Sequence, residues 1–188
     1  MAEVKILVEG YTNADKEESD EKEITCPTIS LIKGAGLNII VDPGVLESQK
    51  ILTNTLKNEG LSVGDIDIVC ITHSHIDHYR NIGMFPDAKT LEFFGLWDKN
   101  TVSDWDENFT EDIKIIKTPG HNYDGITLLV KTSKGVVAVC GDVFWKKDYP
   151  ENDPYATDDE KLKESRKKVL QSADYIIPGH AGMYKVEK

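Results

Sequence analysis

Four potential metal ligands lie between residues 73 and 78, in the run His-Ser-His-Ile-Asp-His. Imidazole nitrogens and carboxylate oxygens are the ligands that zinc, iron and manganese accept at catalytic sites. Two histidines separated by one residue after a strand can project to the same side, and the Asp-His pair that follows can face a second ion. The spacing of His73, His75, Asp77 and His78 therefore predicts a site for two metal ions rather than one.

The other two of the five histidines both follow a Pro-Gly pair. His121 and His180 each come after a short apolar run, and between them Asp142 ends a third apolar run. Every histidine thus lies at the end of a predicted strand or in the loop after it. This placement favours one joint metal site over a scatter of unrelated structural histidines.

Short apolar runs alternate with helical patterns along the chain, and this alternation must position the ligands. Helices are predicted at 45–58, from about 77 and at 158–172, and strands at 4–8, 28–33, 38–41, 66–71, 90–94, 113–117, 127–131, 136–140 and 175–177. Such an alternation is typical of an α/β protein with functional side chains at strand ends.

The motifs Thr-His-Ser-His-Ile-Asp-His, Pro-Gly-His, Gly-Asp and Pro-Gly-His, in that order, resemble the metallo-β-lactamase superfamily over nearly the whole chain. The resemblance implies a four-layer αβ/βα sandwich, in which two mixed β-sheets pack face to face with helices outside. It also implies two divalent metal ions that share a hydroxide, which attacks an ester or a phosphodiester. Zinc is the expected metal, although the same ligands suit iron and manganese.

Carried over position by position, the resemblance implies a role for each ligand. One ion would be held by His73, His75 and His121, the second by Asp77, His78 and His180, with Asp142 bridging them. Asp77 and Asp142 would be the catalytic carboxylates, and Asp77 could take up a proton. Asp42, in an Asp-Pro-Gly turn, would orient a ligand from outside the metal shell.

Two residues depart from the superfamily pattern and are candidate substrate contacts. Arg80 stands in place of the first of two glycines that many members have, and it could face a phosphate or carboxylate of the substrate. A solvent-exposed arginine on a first helical turn is the plainer interpretation. Tyr123 follows the second histidine motif, where it could line the pocket or simply pack in its loop.

Substrate preference is less defined than reaction type. Asp142 stands where the best-known zinc β-lactamases have cysteine, which points away from antibiotic hydrolysis. Further segments, among them 81–88 and 173–180, resemble the metallo-β-lactamase domain-containing protein 1 subfamily, which implies a ribonuclease. A thioester or lactone hydrolase is the alternative, followed by a mononuclear iron dioxygenase-like protein or a non-catalytic metal-binding protein.

The composition of the chain limits the classes of molecule that it is expected to bind. A net charge of −11 without a basic face argues against duplex DNA, and leaves a small molecule or single-stranded RNA as substrate. The 188 residues suit a single domain spanning 1–188. With no run of about 20 apolar residues and no secretory signal pattern, a cytoplasmic protein without membrane contact is expected. Oligomeric state, the acidic stretch 13–23 and the aromatic loop 144–157 remain open.

Overall fold

A computed structural model describes residues 1–14 and 22–187, so that most of the acidic stretch 13–23 lies outside the described residues. The helices are α1 Gln49–Asn58, α2 Ile76–Tyr79 and α3 Asp159–Ser172. The strands are β1 Glu3–Val8, β2 Tyr11–Thr12, β3 Thr25–Cys26, β4 Ile29–Gly34, β5 Leu37–Val41, β6 Ile68–Cys70, β7 Lys89–Glu92, β8 Gly95–Asp98, β9 Thr101–Ser103, β10 Ile113–Lys117, β11 Ile126–Thr132, β12 Gly135–Val139, β13 Tyr175–Ile177 and β14 Tyr184–Lys185.

The described strands form two larger sheets and one short pair. Sheet 1 has the order β1-β4-β5-β6-β7-β8-β9, with β5, β6 and β7 parallel and the remaining pairs antiparallel. Sheet 2 has the order β10-β11-β12-β13-β14, with only β12 and β13 parallel. The short pair joins β2 to β3. Both larger sheets are therefore mixed, as predicted.

Three hydrophobic clusters separate the layers. The first fills the space between the sheets, where Ile39 and Val41 of sheet 1 meet Ile115 and Val139 of sheet 2. The second lies between sheet 2 and α3, and the third between sheet 1 and α1. The result is the expected sandwich of helix, sheet, sheet and helix, because each sheet buries one face against its partner and the other against a helix.

The predicted start of one helix was wrong, whereas the helix expected from about residue 77 begins close to that position. Helix α1 begins at Gln49 rather than at residue 45, because the side chain of Ser48 accepts a hydrogen bond from Lys50 N and ends the preceding extended chain. Helix α2 is only four residues long. The helix does not continue, because the carbonyl of His78 accepts a hydrogen bond from Gly44 N rather than from a further helical turn.

The hairpin of β8 and β9 was not predicted, and the strand expected at 90–94 lies at Lys89–Glu92. Phe93 and Phe94, which were assigned to the strand, instead form the turn between β7 and β8. Lys99 adopts a positive φ of 55° in the turn between β8 and β9. No helix in the described part of the chain is long and apolar enough to cross a membrane.

Candidate metal centre

The His-rich turn follows β6, a buried strand in the middle of the parallel part of sheet 1. The start of the turn is attached to Asp42, the residue that follows the neighbouring strand β5. The backbone N–H of Asp42 donates to Cys70 O at 2.9 Å. The side chain of Asp42 also accepts from Thr72 N at 2.8 Å and from the Thr72 hydroxyl at 2.7 Å. The turn is thereby held at the edge where the carboxyl ends of parallel strands meet.

The three ligands predicted from the second half of the chain reach the same place from sheet 2. His121 follows β10, Asp142 lies in the short 3₁₀ turn after β12, and His180 follows β13. Strands β10, β12 and β13 run in the same direction, so their carboxyl ends share an edge. Ile126 N donates to Thr72 O at 2.8 Å and joins this edge to the His-rich turn.

The seven predicted ligands fall into two groups. The first group is His73, His75, His121 and Asp142, and the second is Asp77, His78 and His180. Within each group the potential ligand atoms all lie within 4.8 Å of one another.

In the first group three ring nitrogens converge. His75 Nδ1 lies 3.1 Å from His73 Nε2 and 3.0 Å from His121 Nε2, and Asp142 Oδ2 lies 3.3 Å from His121 Nε2. In the second group His78 Nε2 and His180 Nε2 both lie 3.8 Å from Asp77 Oδ2.

Asp142 faces both groups. Its Oδ2 is 3.2 Å from His180 Nε2 as well as 3.3 Å from His121 Nε2, and its Oδ1 is 3.4 Å from His78 Nε2. His78 Nε2 and Asp142 Oδ1 are two of the buried side-chain atoms that have no hydrogen-bond partner among the described residues. Such atoms are costly inside a protein unless something binds them. A divalent cation satisfies a ring nitrogen and a carboxylate oxygen together, so these residues fit a metal site.

The outer ring nitrogens of four histidines have oxygen partners. His78 Nδ1 donates to Asp42 Oδ2 at 2.8 Å and His121 Nδ1 to Asp153 Oδ2 at 2.7 Å. His180 Nδ1 contacts Cys26 O at 3.0 Å, and His73 Nδ1 contacts the Thr72 hydroxyl at 3.1 Å. A proton held on Nδ1 leaves the Nε2 lone pair directed at the centre, which is the form that binds a metal.

Burial and charge set the protonation of the ligands. Burial lowers the pKa of His73 well below its ordinary value and lowers the pKa of His75, which favours the neutral imidazoles that ligate metals. Burial opposes charge on Asp142 as well, but His180 and His78 beside it hold the pKa of this carboxyl well below its usual range. In turn Asp142 raises the pKa of both histidines against the effect of burial. The centre therefore carries an ionised carboxylate between its two groups.

The glycines of both Pro-Gly-His motifs are required by close contacts. A Cβ on Gly179 would meet Asp142 Oδ1, and a Cβ on Gly120 would meet the backbone of Leu162 in α3. Gly120 also has a φ of +137°, which side chains rarely adopt. These glycines let the loops of His180 and His121 approach the centre.

A pocket of about 250 Å³ opens over the two groups. Its walls include Trp145 and Tyr155, whose rings stack with centroids 5.8 Å apart, as well as Ile76 and Thr25. The Tyr155 hydroxyl donates to Glu23 Oε2 at 2.8 Å across the mouth of the pocket. The aromatic loop 144–157, whose role the sequence left open, thus contributes to this pocket.

The two candidate substrate contacts lie outside this pocket. Tyr123 is 61% exposed and is not among the residues that line it. Arg80 is exposed at the end of α2 and lines an adjoining groove together with Ile76 and Asp77, two residues that also line the pocket. Their contact with substrate stays a prediction.

Sequence reasoning missed several residues of the site. Asp153, the partner of His121, is an acidic residue in a loop, and nothing in its sequence context distinguishes it from other loop acids. Cys26 contributes through its carbonyl oxygen, which no sequence motif encodes. Trp145 and Tyr155 carried the only signal, which was the aromatic character of the loop after Asp142.

Comparison with known proteins agrees with the geometry. Residues 27–92 match the family model of the metallo-beta-lactamase superfamily. Metallo-beta-lactamase domain-containing protein 1 of Xenopus laevis is 33% identical over an alignment of 195 positions that covers 98% of this chain and 82% of the relative. The human protein of the same name is 31% identical over an alignment of 163 positions that covers 79% of this chain and 59% of the relative.

Solved structures show the same fold. A putative metallo-beta-lactamase from Thermotoga maritima superposes with a TM-score of 0.75 at 24% identity, covering 98% of this chain and 99% of that one. An N-acyl homoserine lactone hydrolase with its product at the catalytic metal centre superposes with a TM-score of 0.68 at 17% identity, covering 95% and 92%. With its paired His and Asp groups between two mixed sheets, this chain belongs to the metallo-β-lactamase superfamily of metal-dependent hydrolases.

Proposed function

We propose that this protein is a dinuclear hydrolase in which each of the two groups of the metal centre holds one divalent ion, with zinc as the first expectation. The observation that carries this proposal is the position of Asp142. One of its oxygens lies within 3.3 Å of a histidine from each group, at His121 and His180. A carboxylate so placed is suited to bridge two ions.

Two bound ions would supply an activated water as nucleophile and would polarise the bond to be cleaved. The remaining work belongs to the protein. Asp142 contacts both groups and holds them in a fixed relative position. Asp77 lines the pocket with its side chain 17% exposed and accepts a hydrogen bond from the Thr25 hydroxyl at 3.2 Å. It is therefore placed to take up a proton from the reacting group.

The pocket favours a carboxylic ester, such as a lactone or thioester, as substrate. None of the described residues that line it is Lys or Arg, whereas Glu23, Asp77 and Asp142 are acidic. Trp145, Tyr155 and Ile76 offer apolar surface beside the metal groups. A neutral substrate with an apolar part can be held there without a cationic partner. The structural likeness to a lactone hydrolase supports the same class.

A single-stranded RNA nuclease is the second candidate. The observation in its favour is Arg80, which lines the groove that joins the pocket at Glu23, Thr25, Ile76 and Asp77. The backbone N–H of Arg80 donates to Ile76 O, but no hydrogen bond or ion pair holds its side chain within the described residues. The guanidinium is free to meet one phosphate, although the described residues that line the groove include no second cation for a longer backbone.

Metal analysis combined with a substrate panel tests these proposals. Protein purified without added metal is expected to hold two ions and to hydrolyse lactones or thioesters faster than phosphodiesters, β-lactams or single-stranded RNA. Asp142→Ala and His75→Ala are expected to lose metal and turnover. Asp87→Ala changes an exposed carboxylate remote from both groups and serves as the matched control.

Each alternative has its own result. One bound iron with oxygen consumption would indicate a dioxygenase-like protein, and tight metal without turnover would indicate a structural role. Cleavage of RNA alone would replace the ester proposal with the nuclease. If Asp142→Ala retained the metal content and turnover of Asp87→Ala, the dinuclear mechanism would be wrong.

A further inference from the structure

Arg166 of α3 contacts the loop that connects Asp142 to Asp153. Its Nε donates to Val143 O at 2.9 Å and its Nη1 donates to Glu151 O at 3.1 Å. The first carbonyl lies one residue after Asp142 and the second lies two residues before Asp153. One planar guanidinium therefore holds the backbone beside both carboxylates.

Both carboxylates act on the same histidine. Asp142 Oδ2 lies 3.3 Å from His121 Nε2, and Asp153 Oδ2 lies 2.7 Å from His121 Nδ1. The side chain of Asp153 is fully buried. If its backbone shifted, water could not replace the hydrogen bond between Asp153 and His121. The segment fixed by Arg166 thus sets the position of the two groups that face the two ring nitrogens of His121.

The same helix also holds the loop of His121. The hydroxyl of Ser165, next to Arg166, donates to Pro119 O at 2.7 Å. Gly120 O accepts hydrogen bonds from Thr157 N at 2.8 Å and from Asp158 N at 3.0 Å, just before α3 begins. Helix α3 is therefore a common support for the loop of His121 and for the segment from Asp142 to Asp153.

We propose that Arg166 is a positioning residue that sets the geometry between His121 and Asp142 and thereby the affinity for the ion held by the first group. This inference rests on the proposed function, because it requires that group to bind an ion. The fork of a guanidinium can donate to two carbonyls at once, whereas an ammonium is a point donor. The guanidinium also lies over the Phe144 ring, 5.5 Å from its centroid, which restricts its movement.

Zinc binding to Arg166→Gln tests the proposal. The protein is stripped of metal, and its two zinc affinities are measured by competition with a chromophoric chelator. Supporting groups around metal ligands typically change affinity by about 10–100-fold when they are lost. We expect a loss of that size for the ion of the first group and a smaller loss for the other ion, which shares Asp142 but is otherwise held by Asp77, His78 and His180. The absorption spectrum of the cobalt-substituted protein should change in parallel, since it reports ligand geometry at the ion.

Two further variants keep the experiment decisive. Arg166→Lys retains the charge but can reach only one carbonyl, so it should restore part of the affinity. Lys167→Gln removes a neighbouring exposed cation and is the matched control. The proposal is overturned if Arg166→Gln, or Arg166→Lys where the first variant does not fold, binds both ions as tightly as the control.

A uniform loss of both affinities that follows the loss of stability in the metal-free protein would also overturn the proposal, as would failure of both variants to fold. Arg166 would then serve the fold rather than one ion. Unmodified protein that bound no ion at all would instead refute the proposed metal centre itself. The two failures are therefore distinguishable from the measurement on the unmodified protein.

Discussion

Replacing Asp42 with Asn changes one oxygen into an NH₂ group at the junction between sheet 1 and the His-rich turn. The carboxylate accepts three hydrogen bonds, from Thr72 N at 2.8 Å, from the Thr72 hydroxyl at 2.7 Å and from His78 Nδ1 at 2.8 Å. Residue 42 has a φ of 49°, a conformation that Asn tolerates as well as Asp does. The substitution therefore alters the hydrogen bonds without adding backbone strain.

Neither orientation of the new amide satisfies all three donors. If its oxygen faces Thr72 N, the NH₂ group meets the Thr72 hydroxyl, which can rotate to accept, and His78 Nδ1, which must then give up its proton. That proton moves to Nε2, the atom that should face the metal. If the amide is flipped, the buried Thr72 N–H is left without an acceptor. An unsatisfied buried donor costs about 1–3 kcal/mol of stability.

Two measurements check this reasoning. Denaturant unfolding of metal-free Asp42→Asn should show a free energy of unfolding lower by about 1–3 kcal/mol. Chelator competition should show zinc binding weakened by about 10–100-fold at the group that contains His78. Asp67→Asn is the control, because Asp67 is an exposed carboxylate just before β6 whose side chain accepts a hydrogen bond from Asn38 N at 2.7 Å. Equal stability and equal zinc affinity in the two variants would refute the argument.

Three further predictions follow from the described contacts. Gly179→Ala places a Cβ against Asp142 Oδ1, so the purified variant should contain less metal by elemental analysis, and full metal content would contradict the role given to this glycine. Glu23 raises the pKa of Tyr155 by accepting its hydrogen bond, so this contact is present at neutral pH and is lost as the pH rises through the raised value. Ultraviolet titration should show an ionisation that moves towards the ordinary value of about 10 in Glu23→Gln. Leu56→Ala should lower the free energy of unfolding by about 2–5 kcal/mol while leaving zinc affinity unchanged, because Leu56 of α1 is fully buried against sheet 1.

The alternation of strands and helices and the convergence of the candidate ligands could be predicted because their signals are local, whereas the sandwich was implied by the resemblance to the superfamily. Each ligand follows a strand with a strong apolar pattern, and strands running in one direction bring their ends to one edge. His121 and His180 are 59 residues apart in sequence, yet the shared motif Pro-Gly-His after an apolar run indicated that both belong to one site. The family comparison confirmed the superfamily assignment.

The parts that could not be predicted depend on contacts between distant segments. The start of α1 is determined by a single cap at Ser48, which competes with a helical pattern that continues upstream. Asp153 and Cys26 support their histidines through one buried contact each, and neither has a sequence neighbour that signals it. The placement of Tyr123 and Arg80 outside the pocket follows from loop direction, which hydrophobic periodicity does not encode.

Both groups of candidate ligands combine residues from both sheets, since the His-rich turn follows a strand of sheet 1 while His121, Asp142 and His180 follow strands of sheet 2. Bound ions would therefore act as removable cross-links between the two halves of the molecule. A chain cut in the connection at 104–112 would yield two fragments, each with an incomplete set of ligands. Reassembly of these fragments would then depend on metal concentration, so the association of the two halves could be controlled by adding or removing the metal.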